Sequence, residues 1–180
     1  MKHALVIGGS GMLSQTSLWL AEQGYTVSII GRDSAKLHRL ANVNPHIIPI
    51  PVDYSNDIEC RNAIKQSISV NGSYDLVVAW IHGDGIPVIQ LLDSEIQEVR
   101  SEKWKLFHVL GSGADVKAYV QTVGKLEHCE YHQIQLGFVI EQDGSRWLTH
   151  HEIANGVIAG MIGESSYHLV GTLTPWSQKP

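Results

Sequence analysis

The sequence predicts an α/β protein, a parallel sheet of about seven strands with helices on both faces, doubly wound around the sheet. Short continuous runs of Val, Ile and Leu recur along the 180 residues, and enough chain for a helix separates them. Continuous apolar runs are typical of strands buried on both faces. Connections of this length are right-handed crossovers, which favours the strand order 3-2-1-4-5-6-7.

The predicted strands share this apolar character and lie at Ala4–Ile7, Thr26–Ile30, His46–Val52, Leu76–Ile81, Leu106–Leu110, Ile134–Ile140 and His168–Leu173. No repeat, low-complexity tract or Pro-rich linker interrupts them. Residues 1–180 are therefore predicted to form a single domain.

Helix ends are marked by residues that satisfy free backbone groups. The first helix, predicted over Met12–Gln23, ends at Gly24, and Asp33 or Ser34 caps the next, Ala35–Leu40. Two capping-box patterns open further helices, at Asn56 with Glu59 and at Thr149 with Glu152.

One helix carries an apolar stripe that has two interpretations. Ile89, Leu92, Ile96 and Val99 recur at helical spacing. The stripe packs either on the sheet or on a second copy of the chain. Packing on the sheet is the more ordinary choice, and a homo-oligomer through the Ile89–Val99 helix is the alternative.

Composition narrows the class of protein. The hydrophobic fraction is 43%, the charged fraction is 17%, and the net charge is −5, without a cluster of Lys and Arg to bind a phosphate backbone. The apolar run before Gly8 is too short for a signal peptide or a membrane span. Cys60 and Cys129 show no paired spacing. We expect a cytoplasmic protein with reduced thiols, and neither a nucleic acid nor a membrane as partner.

A glycine-rich segment directly follows the first strand. Gly9-Ser10-Gly11-Met12-Leu13-Ser14 fits G-x-G-x-x-G/A, with a small Ser in the last position. Glycines permit a sharp strand-to-helix turn and leave amides unshielded, so that a pyrophosphate can lie on the helix N-terminus. The context of strand, turn and helix predicts a Rossmann-like nucleotide site. Its phosphate-binding candidates are Gly8, Gly9, Ser10, Gly11, Met12 and Leu13.

The end of the second strand indicates which nucleotide is bound. In dinucleotide folds this position meets the adenosine ribose, where a carboxylate favours NAD and an arginine binds the 2′-phosphate of NADP. The sequence reads Ile30-Gly31-Arg32-Asp33-Ser34. Arg32 favours NADP over NAD, provided that Asp33 serves as a helix N-cap; an inward Asp33 would weaken or reverse this preference.

Together these motifs resemble the short-chain dehydrogenase/reductases, over nearly the whole chain. Further matching segments are Val52-Asp53-Tyr54, Val77-Val78-Ala79-Trp80, Gln135-Leu136-Gly137-Phe138-Val139 and Trp147-Leu148-Thr149. The resemblance implies an oxidoreductase that transfers a hydride between a nicotinamide cofactor and a small molecule. It also implies adenine contacts from Asp53 and Tyr54, a cleft lined by Ala79, Trp80 and Ile81, and a nicotinamide near Gly137.

The catalytic pattern departs from that family, whose members pair Tyr with a Lys four residues later. At that offset Tyr119, Tyr131 and Tyr167 are followed by Val, Gln and Gly. Ser112 stands where the family's catalytic serine is expected, although it suits a loop or helix cap equally well. His82, at the end of the fourth strand, is our other candidate proton donor. Alternatives are a catalytically degenerate nucleotide-binding sensor or interaction module, and, less favoured, an epimerase or isomerase that holds NAD.

The chain contains ten histidines, which raises the question of a metal site. His128 and His132 are four residues apart, and His150-His151-Glu152 forms a second group. In a strand, residues at that spacing lie about 13 Å apart, and zinc needs three or four converging ligands. We therefore predict no metal site.

Overall fold

The computed structural model describes residues 2–81 and 85–180. The strands are β1 Lys2–Ile7, β2 Tyr25–Gly31, β3 Ile47–Pro51, β4 Leu76–Trp80, β5 Trp104–Leu110, β6 Cys129–Leu136, β7 Phe138–Glu141, β8 Gly144–Trp147 and β9 Tyr167–Val170. Seven of them form one parallel sheet in the order β3-β2-β1-β4-β5-β6-β9, and β7 and β8 form a separate antiparallel hairpin. The predicted doubly wound order is confirmed, with β9 as the seventh strand of the sheet.

Helices cover both faces of the sheet. They are α1 Ser14–Glu22, α2 Ser34–Val43, α3 Asp57–Asn71, α4 Ile86–Gln97, α5 Val116–Thr122 and α6 His150–Gly163. Side chains of α3 and α4 pack on one face, and those of α1, α2 and α6 pack on the other. Each face therefore has its own apolar core. Among the residues that the structure describes, no helix has the length and apolar character to cross a membrane.

The predicted strand Ile134–Ile140 was wrong as a single element. Strand β6 ends at Leu136. Phe138 begins the β7–β8 hairpin and also forms an isolated antiparallel β-bridge with Thr172. A Cβ on Gly137 would lie 2.2 Å from the Thr172 carbonyl oxygen. The two chain segments thus cross at a glycine, and this long-range contact ends the strand within a segment that is apolar apart from Gln135 and Gly137.

The predicted N-cap residues are confirmed, and one of the two predicted capping boxes is complete. The Asp33 carboxylate accepts a hydrogen bond from the Lys36 amide at 3.0 Å, and the Asn56 side chain accepts one from the Glu59 amide at 3.3 Å. Thr149 and Glu152 form both halves of a capping box. Because each of these side chains satisfies a free N–H of its own helix, the boundaries of α2, α3 and α6 follow from local sequence.

The apolar stripe of α4 packs inside the chain. Ile89 and Leu92 are fully buried, Ile96 is 1% exposed, and all three belong to the core beneath α3 and α4. Val99 lies beyond the end of the helix and is exposed. The sheet is therefore what the stripe covers. Association between copies stays a prediction, and it would use residues other than these three.

Strand β3 forms one border of the sheet and carries two prolines. The Val27 amide donates to the His46 carbonyl at 2.8 Å. The alternation of a parallel ladder then directs Ile48 and Ile50 toward β2, and Pro49 and Pro51 outward. The outward-facing edge consequently lacks an N–H at both prolines.

Candidate functional site

The glycine-rich loop lies at the carboxyl end of β1. Gly8 has a φ of +81°, and its amide donates to the Ile30 carbonyl at 3.1 Å. A Cβ on Gly9 would lie 2.8 Å from side-chain atoms of Val6, Ser17 and Ile29. Gly9 is therefore required for close packing of the loop on strand and helix, the role expected of a dinucleotide-fold glycine.

The first turn of α1 is open to a ligand. Leu13 occupies the N-cap position without a side-chain cap, and the first turn contains no acidic residue. Leu13 itself is buried in the core, and a Cβ on exposed Gly11 would meet no atom within 4 Å. A helix N-terminus without a cap favours an anion through its free N–H groups and its dipole. This geometry fits the diphosphate of a dinucleotide.

Arg32 and Asp33 follow β2 with different roles. The Asp33 carboxylate turns to α2, where it also lies 3.6 Å from the Lys36 ammonium. Among the described residues, Arg32 is exposed and forms no salt bridge within 4.0 Å. The Ser10 hydroxyl lies 3.3 Å from the position of a Cβ on Gly31. The Ser10 hydroxyl therefore lies at the strand end that Arg32 directly follows.

Asp53 and Tyr54 follow β3. The Asp53 carboxylate accepts hydrogen bonds from the Ser55 amide at 2.9 Å and the Ser55 hydroxyl at 2.7 Å. These bonds, with a smaller contribution from the positive charge of Arg32, lower the pKa of Asp53. Asp53 is thus an anion held in a turn beside Arg32, while Tyr54 packs against the core.

The three residues predicted to line the cleft after β4 differ in direction. Ala79 and Ile81 are buried in the core under α3 and α4, whereas half-buried Trp80 packs with the opposite core. The Trp80 Cβ lies 3.3 Å from the position of a Cβ on Gly8, and its Cη2 lies 3.9 Å from that on Gly111. The indole therefore lies across the carboxyl ends of the strands, from β1 to β5. Because their side chains lie in the core, Ala79 and Ile81 offer this end of the sheet only backbone atoms.

Of the two candidate proton donors, His82 lies outside the described residues. Half-buried Ser112 lies in the loop between β5 and α5. The side-chain amide nitrogen of Gln135 donates to the backbone carbonyls of Gly111, Ser112 and Ala114, at 3.3, 3.2 and 3.4 Å. The Tyr167 hydroxyl donates to Gln135 Oε1 at 2.8 Å. Gln135 thereby holds the backbone of the Ser112 loop.

A buried polar cluster lies behind this loop and was not anticipated from sequence. His108 is fully buried on β5, and its Nδ1 lies 3.0 Å from the Tyr131 hydroxyl. Gln133 donates to that hydroxyl at 3.2 Å and to the Val116 carbonyl at 2.8 Å. Burial lowers the pKa of His108 to about 4, against the effect of the nearby Ile81 carbonyl. The imidazole is therefore neutral at pH 7. A polar residue every second position along β6 was the available signal.

Two of the histidines that could have been metal ligands have structural partners. His132 bonds to the Ser165 carbonyl at 2.9 Å and stacks on Phe107. His151 Nδ1 lies 3.1 Å from the Gln15 side-chain oxygen, which links α6 to α1. Across residues 2–81 and 85–180, no group of three or more His, Cys, Asp and Glu side chains is arranged to hold a metal ion.

Comparison with known proteins identifies the fold. No protein-family model matches the chain, and no curated protein matches it. A short-chain dehydrogenase/reductase from Serratia marcescens is 18% identical, with a TM-score of 0.68 over 94% of this chain and 97% of that one. A β-ketoacyl-[ACP] reductase from Bacteroides thetaiotaomicron is 14% identical, with a TM-score of 0.64 over 95% of each chain.

A third solved structure, a short-chain dehydrogenase/reductase described as a glucose/ribitol dehydrogenase from Brucella melitensis, is 14% identical. Its TM-score is 0.67 over 95% of this chain and 94% of that one. The chain thus has the fold of the short-chain dehydrogenase/reductases over nearly its whole length. The resemblance seen in the sequence motifs is confirmed at the level of fold.

Proposed function

We propose that this chain is an NADP(H)-dependent oxidoreductase of the short-chain dehydrogenase/reductase type. The observation that carries the proposal is the glycine-rich loop, which leads into a helix N-terminus without a side-chain cap. In the proposed complex, amides from Gly9 to Leu13 bind the diphosphate. Exposed Arg32 binds the 2′-phosphate, because Asp33 is engaged by α2.

The other site residues have defined tasks in this proposal. When bound, the nicotinamide supplies or accepts the hydride. Asp53 and Tyr54 contact the adenine, Trp80 forms the floor of the cleft with Ala79 and Ile81, and Gly137 lies beside the nicotinamide. The protein must otherwise orient the substrate and keep out water.

Proton delivery is assigned to Ser112 or His82. Ser112 lies on a loop whose carbonyls accept hydrogen bonds from the Gln135 side chain, so the backbone that carries its hydroxyl is held in place. A positioned hydroxyl or imidazole can exchange a proton with a carbonyl oxygen during hydride transfer. The absence of Lys four residues after any Tyr is the reason to look beyond the family's usual pair.

The cofactor assignment is tested by thermal unfolding with NADPH and with NADH. A ligand at 100 times its Kd stabilises the folded chain by about 2.7 kcal/mol. We expect NADPH to bind more tightly, and Arg32→Glu to weaken NADPH binding at least about tenfold, since a charge-assisted contact becomes repulsive. Arg39→Glu makes the same charge change halfway along α2 and should leave the preference intact. Tighter NADH binding by wild type would contradict the proposal.

Turnover separates the oxidoreductase from the sensor. NADPH oxidation is followed with a panel of carbonyl, quinone and flavin substrates. An oxidoreductase turns over at least one class, and Ser112→Ala or His82→Gln then lowers kcat while the thermal shift with NADPH is retained. A chain that binds NADPH and turns over none of the panel is the predicted behaviour of the sensor.

A further inference from the structure

A cavity opens at the end of the sheet where the parallel strands begin, which is the end opposite the glycine-rich loop. It has a volume of about 340 Å³ and is lined by the starts of β1, β2, β4 and β5 together with α1 and the end of α6. We call it the amino-edge cavity and define it by Trp19, Tyr25, Phe107, Lys2, Lys103 and Met161. No residue assigned to the nucleotide lines it.

The inner wall of the amino-edge cavity is apolar and aromatic. Phe107 and Leu20 are each 1% exposed, and Met161 is 6% exposed. Trp19 and Tyr25, both half-buried, add two further ring systems. Flat aromatic ligands pack well against such rings, which bury large areas in stacked or edge-on contact. The wall therefore favours a flat apolar body.

The rim of the amino-edge cavity is cationic. Four cations, from Lys2, Arg100, Lys103 and Lys105, face two carboxylates, from Asp75 and Glu164, so the lining has a net charge of +2. Arg100 pairs with Asp75 at 2.5 Å, and Lys105 pairs with Glu164. The chain as a whole carries −5. The cavity is thus a local positive region on an acidic protein.

Two of these cations are left for a ligand. In the described part of the chain, neither Lys2 nor Lys103 has a carboxylate within 4.0 Å of its ammonium. The Lys2 ammonium stands 5.6 Å from the centre of the Tyr25 ring, at the mouth of the aromatic wall. Free ammonium groups beside an apolar wall match a ligand with an anionic head and an apolar body.

We propose that the amino-edge cavity binds a small organic anion with a flat aromatic body, such as an aromatic carboxylate or sulfonate. The body packs against the half-buried rings of Trp19 and Tyr25, and the anionic group faces Lys2 and Lys103. The site is separate from the proposed nucleotide cleft, which lies at the other edge of the same sheet. Two available cations fit a ligand with one or two negative charges rather than a polyanion.

The test uses two probes of the same shape. The anion 8-anilinonaphthalene-1-sulfonate and its uncharged analogue N-phenyl-1-naphthylamine are titrated by fluorescence into the full chain. We expect saturable binding of the sulfonate at one site, retained at saturating NADPH. Lys103→Glu should weaken sulfonate binding about tenfold, because an attractive charge becomes repulsive, and should change binding of the neutral probe less than about twofold.

Controls separate this site from others. Lys117→Glu makes the same charge change on exposed α5 and should leave both probes unaffected. Lys2→Glu should repeat the effect of Lys103→Glu, and melting curves check that each variant folds. Displacement of the sulfonate by NADPH, equal losses for the two probes, or equal effects of Lys103→Glu and Lys117→Glu would overturn the proposal. Sulfonate binding by a chain that binds no NADPH would refute the proposed function and leave this site standing.

Discussion

The β1–α1–β2 region and the β5–β6 region belong to the same parallel sheet, with β4 between them, but they are built differently. Around β1, small residues bring strand, loop and helix together and leave the first turn of α1 without a side-chain cap. Around β5 and β6, buried polar side chains use their hydrogen bonds on each other and on a loop. The first region offers backbone groups to a ligand, and the second uses side chains to hold a loop.

This difference indicates how the proposed site would divide its tasks. In the proposed complex, binding of the diphosphate needs only unshielded amides, so the β1 region is expected to tolerate variation in its exposed side chains. The position of Ser112 depends on Gln135, and Gln135 depends on Tyr167 at the last strand of the sheet. The β5–β6 region is therefore expected to be the more sensitive to single substitutions.

The largest expected effect is at the crossing of β6 and the segment after β9. Gly137→Ala should cost about 3 kcal/mol or more of unfolding free energy, because its Cβ would lie 2.2 Å from the Thr172 carbonyl oxygen. Gly113→Ala is the matched control, since a Cβ there meets no atom within 4 Å, and should change stability by less than about 1 kcal/mol. Urea unfolding measures both. Similar losses of unfolding free energy in the two variants would contradict the prediction that the crossing at Gly137 is sensitive to substitution.

An intermediate effect concerns pH. His108 is neutral in the folded chain with a pKa of about 4, whereas in the unfolded chain it binds a proton below about pH 6.5. Its contribution to stability is therefore present above pH 6.5 and is lost as pH falls toward 4. The loss is up to about 3 kcal/mol.

His108→Phe keeps a ring in the core without a titratable group. Unfolding free energies at pH 7 and pH 4.5 should differ less in this variant than in wild type, by about 2 kcal/mol. The carboxylates of the chain are common to both proteins and cancel in the comparison. Equal pH dependence in the two would contradict the lowered pKa, because it would mean that His108 binds a proton as readily in the folded chain as in the unfolded chain.

The smallest expected effect tests the β1–β2 region. Asp33→Ala should lose about 1 kcal/mol, because the Lys36 amide loses its cap, and Asp33→Asn should be nearly neutral. Neither variant should change the ratio of NADPH to NADH affinity, measured by thermal shift. A changed ratio in Asp33→Asn would show that this carboxylate faces the ribose and would weaken the assignment of Arg32.

Features set by neighbouring residues could be predicted from sequence. The strands are continuous apolar runs, and Asp33, Asn56 and Thr149 each cap the helix that follows them directly. The glycine-rich loop was recognisable for the same reason, because its turn, close packing and open amides arise within one strand-turn-helix unit. The strand order followed from the handedness of crossovers.

Features set by distant residues could not be predicted. The end of β6 at Leu136 depends on Thr172, and nothing between Ile134 and Ile140 marks it apart from one glycine. His108 is the one polar residue in the predicted strand Leu106–Leu110, and its hydrogen-bond partner, Tyr131, lies on β6. The amino-edge cavity combines residues from six elements, so that its charges converge only in the folded chain.

The prolines of β3 bear on how copies of the chain can meet. A foreign strand that approached this border would find hydrogen-bond donors missing at Pro49 and Pro51, and the amide of Ile47, the third outward residue, already donates to the Asn44 carbonyl. Extension of the sheet into a fibre or a swapped dimer is therefore disfavoured at this side.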